Sequence, residues 1–197
     1  MKIAILGGAF NPPHLGHLLI SRQLLEFGFT DQVWLTPCFL HSFQKELIDP
    51  QDRLTMTNFL KNTNILVSDI EILNKTDGQT INTMKLLTES HPHHSFSFCM
   101  GSDNLKSFKL WNNWQELITT WDFLVFPRPG FDFDLKKFEL ENPDYRFKFI
   151  QHPLLATTDI SSTLIRKRLQ ANASIDYLLP EKVRDYIHEN KLYSGNL

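Results

Sequence analysis

The residues best placed to do chemistry lie near the start of the chain, in Gly7-Gly8-Ala9-Phe10-Asn11-Pro12-Pro13-His14-Leu15-Gly16-His17. Gly7 and Gly8 end an apolar strand-like run, Ile3 to Leu6, and a helix opens near Leu15. Glycines at such a turn let the backbone approach a ligand with no Cβ in the way. The N-terminus of the following helix offers unpaired N–H groups and a positive dipole end, a combination suited to phosphate. Gly7, Gly8, Ala9 and Phe10 are therefore candidate phosphate-binding residues, on a loop stiffened by Pro12-Pro13. His14 and His17 stand one helical turn apart and can share a face. An imidazole there can donate to phosphoryl oxygens that gain charge in a transition state. Other chemistries fit less well. No Gly-Lys-Ser/Thr follows, the third glycine of a dinucleotide fingerprint is missing, and no HExxH-type glutamate accompanies the histidines. The plain alternative is a pair of structural or surface histidines.

A second candidate lies far downstream in Ile160-Ser161-Ser162-Thr163-Leu164-Ile165-Arg166. Hydroxyls and amides at a helix start can cap the helix and hold an anion. Arg166, one turn in, adds a fork of donors matched to phosphate. An ordinary capped helix with a solvated arginine is the competing reading. Asp103 follows Gly101 at a strand end, where a carboxylate can accept bonds from ribose hydroxyls, or can serve only as a helix N-terminal acid. Trp111 can stack on a planar ring, although Trp111, Trp114 and Trp121 could equally be core or anchoring residues. Arg128, between Pro127 and Pro129, could meet a phosphate or carboxylate. His91, His93 and His94 read as a solvated helix-to-strand turn rather than a metal site, since no acidic or thiol partner is near in sequence.

The elements that must position these residues follow from the hydrophobic pattern. Strands are expected at 2–6, 32–36, 65–68, 95–100, 122–126 and 147–151, most of them apolar on both faces, as in a parallel sheet covered by helices. Helices are expected at 15–27 (stopped by Gly28), 52–62, 80–89, 102–108, 114–120, 162–171 and 181–191, the last after Pro180. This β-α-β-α order predicts one α/β domain, doubly wound and Rossmann-like, with a mainly parallel sheet, a site at the carboxyl ends of its strands and a C-terminal helical segment from about residue 160. Residues 131–145 read as a surface excursion rather than a linker, so a single domain over 1–197 is expected.

With 197 residues, 42% hydrophobic, the chain can bury a sizeable core. A formal net charge of -2 argues against a general nucleic-acid binder. Cys38 and Cys99 lack CxxC spacing and read as buried free thiols in a reducing compartment. No signal-peptide pattern or membrane-length apolar run is present. A cytoplasmic protein without membrane attachment is expected, and the sequence sets no oligomeric state.

Gly7 to His17 resembles the GxFxPxHxGH signature of the HxGH nucleotidyltransferases, which transfer AMP or CMP from a triphosphate to a phosphate on a second substrate. Ile160 to Arg166 is similar to the same family's ISSTxIR segment, and the resemblance implies that Ile160, Ser161, Ser162, Thr163 and Arg166 hold the outgoing phosphates. Met100-Gly101-Ser102-Asp103-Asn104-Leu105 with Phe108 and Trp111 is similar to the GxDxLxxFxxW segment of the bacterial nicotinate-nucleotide adenylyltransferase branch. Phe126 to Gly130 resembles its (R)RPG turn, and Leu178-Leu179-Pro180 with Val183 to Ile187 its closing LLPxxVxxYI helix. That branch implies an acceptor site including Lys45, Arg53, Thr80, Trp111 and Arg128. Three segments depart from its pattern. Asn11 stands where Asp is common, Leu40 to Lys45 replaces a PPHK/R stretch, and Gly78-Gln79-Thr80-Ile81-Asn82-Thr83 keeps the two threonines of SYTxDT but not its Ser-Tyr pair or Asp.

The expected reaction is in-line attack by a mononucleotide phosphate on the α-phosphorus of ATP, with pyrophosphate leaving. The attacking phosphate is already ionised near neutral pH, so no protein base is needed. His14, His17 and Arg166 are the expected catalytic residues, acting by positioning and charge stabilisation. Magnesium is expected to arrive with the triphosphate rather than in a protein cage. Nicotinate mononucleotide is the acceptor that the resemblance implies. Nicotinamide mononucleotide, another phosphorylated acceptor, or a non-catalytic nucleotide-binding role remain as alternatives.

Overall fold

The computed structural model describes residues 1–41, 46–131 and 142–193. Six strands form one sheet in the order β3-β2-β1-β4-β5-β6, and every neighbouring pair is parallel. They are β1 (Lys2–Gly8), β2 (Gln32–Pro37), β3 (Ile65–Val67), β4 (Ser95–Gly101), β5 (Asp122–Phe126) and β6 (Phe147–Phe149). All six lie where the apolar runs predict them. The order reverses direction between β1 and β4, so the chain leaves the carboxyl ends of these two strands toward opposite sides and opens a crevice there.

The two-residue period of β1 divides the core. Ile3 and Ile5 join one buried cluster with Phe98, Phe123, Leu117 and Leu87, while Ala4 and Leu6 join the other with Leu35, Leu24, Ile165 and Val183. A strand buried on both faces must be apolar throughout, which is why β1 shows no polar alternation.

The helices are α1 (Leu15–Glu26), α2 (Pro50–Asn58), α3 (Ile70–Leu73), α4 (Thr80–Ser90), α5 (Trp114–Thr120), α6 (Ser162–Gln170) and α7 (Glu181–Glu189), with a 3₁₀ segment over Ser102–Leu110. Gly28 ends α1 as expected. At φ 73° it lets its own N–H reach Leu25 O and that of Phe29 reach Leu24 O, closing the last turn. The expected 52–62 helix is shifted. It starts at Pro50 because the Asp49 carboxylate accepts the Gln51 N–H at 2.7 Å, and it stops early because the Asn62 side chain caps the turn into β3. The four-residue α3 was not expected, being too short to show a period. The expected 102–108 helix takes the tighter 3₁₀ form and runs on to Leu110. Most of the excursion expected at 131–145 lies outside the described residues.

Candidate active site

The crevice beside the β1–β4 switch is a cavity of about 390 Å³. It is lined by Gly7, Gly8 and Ala9 after β1, His14 and His17 at α1, and Gly101, Asp103 and Trp111 after β4. Arg128 after β5, Thr80 at the start of α4, and Ile160, Ser161 and Ser162 before α6 complete the set of expected residues on its wall. Backbone close approach explains three glycines. A Cβ on Gly7 would come within 2.9 Å of the Phe98 ring, and one on Gly16 within 2.9 Å of the His14 ring and 3.3 Å of Ile160 O. A Cβ on Gly101 would collide with the Asp103 carboxylate.

The loop between β1 and α1 is held from three sides. Arg53 Nη1 donates to Ala9 O at 2.8 Å, Arg166 Nη1 to Asn11 O at 2.7 Å, and Ser162 Oγ to Pro12 O at 2.8 Å. The Tyr193 hydroxyl donates to Asn11 Oδ1 at 2.8 Å, both residues buried. Each of these oxygens therefore already accepts a hydrogen bond from elsewhere in the chain. Three of the four bonds come from the last 36 residues of the chain, so the two sequence motifs meet in space.

His14 and His17 face each other with ring centroids 3.8 Å apart, and the Phe10 ring lies 4.6 Å from His17. His17 Nδ1 accepts the His14 backbone N–H at 3.0 Å, so the neutral ring carries its proton on Nε2. Burial is the main cause that pushes the His17 pKa down to about 3, with Arg128 adding to it. Burial, then His17, then Arg128 hold His14 well below the ordinary histidine range. Both imidazoles are neutral, and a neutral imidazole with a fixed tautomer is a hydrogen-bond donor rather than a charge. His14 is 7% exposed, and its Nδ1 has no hydrogen-bond partner among the described residues.

The remaining expected residues are placed as follows. Asp103 and Arg128 form an ion pair at 2.9 Å, each partly exposed, and the Arg128 N–H donates to Ser102 Oγ at 3.0 Å, pinning the β5 loop to the end of β4. Arg166 and Thr163 stand beside the cavity rather than on its wall, Nη2 of Arg166 reaching Thr163 Oγ1 at 3.4 Å. Phe10, at φ 48° and buried, packs beneath the histidines. Lys45 lies outside the described residues. Arg53, expected to contact the acceptor, sits instead behind the wall at 0% exposure. Its guanidinium donates to the carbonyls of Ile48, Ala9, Cys38 and Phe39. Four backbone acceptors from two loops occupy the fork, which leaves it a staple for the site.

Glu71 on α3 was missed. It lines the cavity at 6% exposure and accepts the Thr83 hydroxyl at 2.8 Å and the Thr76 hydroxyl at 3.1 Å. Burial pushes its pKa up to about 7 against the opposing pull of those hydrogen bonds. A lone acid in the short apolar run Ile70 to Leu73 gives no sequence signal of this. Cys38, also on the wall, is a free thiol whose pKa burial raises to about 11, so it stays protonated and unreactive near neutral pH. Among the described residues no group of three or more His, Cys, Asp or Glu side chains could hold a metal ion.

A family model described as cytidylyltransferase-like matches residues 5–168. A probable nicotinate-nucleotide adenylyltransferase of Halalkalibacterium halodurans is 34% identical, the match covering 99% of this chain and 92% of the relative. The nicotinate-nucleotide adenylyltransferase of Bacillus subtilis is 31% identical, with 98% and 99% covered. Among solved structures, the Plasmodium falciparum nicotinic acid mononucleotide adenylyltransferase complexed with NaAD superposes with a TM-score of 0.82 over 99% of this chain and 98% of that one. At 24% identity that last likeness carries the fold alone.

Proposed function

The chain belongs to the cytidylyltransferase-like family and groups there with the nicotinate-nucleotide adenylyltransferases; from that premise we propose how its own residues carry out the reaction. It is an adenylyltransferase of NAD biosynthesis that joins ATP and nicotinate mononucleotide into the dinucleotide deamido-NAD, releasing pyrophosphate. The observation that carries this reading is the pair of neutral, facing imidazoles at the head of α1, on the wall of a cavity at the sheet's switch point. The full chain works as one domain, its segment from residue 160 to residue 193 clamping the phosphate loop through Ser162, Arg166 and Tyr193.

The triphosphate lies along Gly7, Gly8 and Ala9 and the start of α1, whose N–H groups and dipole suit its charge. The Nε2–H of His17 donates to an oxygen of the transferring phosphoryl group, where negative charge grows as the acceptor phosphate attacks in line. His14 serves the bridging oxygen from the facing ring. Ser161, Ser162 and the start of α6 hold the departing pyrophosphate, with Arg166 and Thr163 at its edge. Asp103 takes the ribose hydroxyls once it parts from Arg128, which is thereby released to an anionic group of the acceptor. Trp111 and Thr80 bound the acceptor's ring. Carboxylates near the cavity are engaged with Arg128 or with threonines, which fits a Mg²⁺ ion held by phosphate oxygens and water. When bound, that ion would neutralise part of the triphosphate's charge. ATP and the mononucleotide are the partners, with no nucleic acid involved. No described helix is long and apolar enough to cross a membrane, and two free buried thiols favour a cytoplasmic setting.

His17→Ala tests the assignment: turnover is lost, by ~10²-fold or more for a donor to developing charge, while circular dichroism and the melting temperature hold. A variant with unimpaired turnover would refute the role of His17.

A further inference from the structure

Leu40 and His41 after β2, Glu71 on α3, and Gly78, Gln79 and Thr80 at the start of α4 all line the cavity. Gly78 contributes no side chain and stands at φ 75°, a conformation that glycine enters freely and nothing about the residue itself enforces. The Glu71 side chain ties its own helix to the α3–α4 turn and to the first turn of α4, the chain that carries Gly78, Gln79 and Thr80. Its Oε1 accepts the Thr83 hydroxyl at 2.8 Å, one turn into α4, and its Oε2 accepts the Thr76 hydroxyl at 3.1 Å in the α3–α4 turn. Its backbone carbonyl also takes the Thr76 N–H at 3.0 Å. Burying a carboxyl is costly, and an apolar side chain here would remove the cost. What only the carboxyl supplies is a set of directed acceptors for donors that arrive from separate segments.

We propose that Glu71 is a positioning residue for the acceptor, locking the α3–α4 turn and the first turn of α4 into the wall against which the acceptor's pyridine end is seated. The inference rests on the adenylyl-transfer reading, and it predicts an effect on one substrate only. The triphosphate half of the site is held by other groups (Arg53, Arg166, Ser162 and Tyr193) that make no bond to Glu71.

Steady-state kinetics with ATP and nicotinate mononucleotide, each varied at saturating levels of the other, separate the outcomes. Glu71→Ala raises the KM for the mononucleotide by ~10-fold or more and leaves the KM for ATP within ~3-fold, the signature of lost binding confined to one substrate. Glu71→Gln, which keeps the volume and an acceptor oxygen, recovers most of that KM. If Glu71→Ala does not fold, Thr83→Val removes one of the donors at nearly constant volume and shifts the same KM. Both KM values rising together, an unchanged mononucleotide KM, or a Gln variant no better than Ala would overturn the assignment. Wild-type protein that turns over no pyridine mononucleotide would instead overturn the reading beneath it.

Discussion

Glu71 also links proton binding to folding, in a direction opposite to that of a salt-bridged acid. Its pKa is pushed from an ordinary 4.5 up to about 7, chiefly by burial, so the folded chain holds the proton more tightly than the unfolded chain does. The stability this contributes is fully present below about pH 4.5 and is lost as pH rises through about 7. At about 1.4 kcal/mol per pKa unit, the full loss is about 3 kcal/mol, of which about 2–3 kcal/mol falls between pH 5 and pH 8.5. Glu71→Gln cannot titrate and serves as the reference. Urea unfolding of both proteins at the two pH values measures the effect, and every other titrating group cancels in the difference between them. Wild type loses about 2–3 kcal/mol relative to the Gln variant on going to pH 8.5. A wild-type-minus-variant difference that stays constant within about 0.5 kcal/mol would refute the claim that a desolvated carboxyl stands at this place.

Two further substitutions probe the scaffold of the site. Tyr193→Phe keeps the buried ring but leaves Asn11 Oδ1 without the bond now made at 2.8 Å; it lowers stability by about 1–3 kcal/mol, read by urea unfolding. Arg53→Lys keeps the charge, yet a single ammonium cannot span the carbonyls of Ile48, Ala9, Cys38 and Phe39. With at least two of them orphaned the cost is about 2–5 kcal/mol, seen as a lower melting temperature. Full stability in the Lys variant would contradict the staple.

The fold was legible because its strands are apolar on both faces and its helix boundaries carry local chemistry: Gly28, Pro180, and Ser161, whose Oγ accepts the Leu164 N–H at 3.2 Å. Gly7 to His17 was legible as a turn leading into a helix, since the two are contiguous in sequence. What escaped was long-range. Arg53 reads as a helical arginine beside a binding loop, and only the folded chain shows that backbone carbonyls from separate loops converge on its fork. Tyr193 sits 182 residues from Asn11, beyond any local pattern. Asp103 and Arg128 each suggested an anion or sugar contact, and sequence gave no sign that they pair with each other. Glu71 lies on a helix of four residues, too short to declare which face its side chains take.

The most direct test of adenylyl transfer is product analysis with purified protein, ATP and Mg²⁺, offering nicotinate mononucleotide, nicotinamide mononucleotide or no acceptor, with CTP in place of ATP as a control. The account predicts deamido-NAD and stoichiometric pyrophosphate from ATP with nicotinate mononucleotide. It predicts slower turnover with the nicotinamide nucleotide and no pyrophosphate without an acceptor. ATP binding with no pyrophosphate release on any acceptor, or release that does not depend on an acceptor, would contradict it.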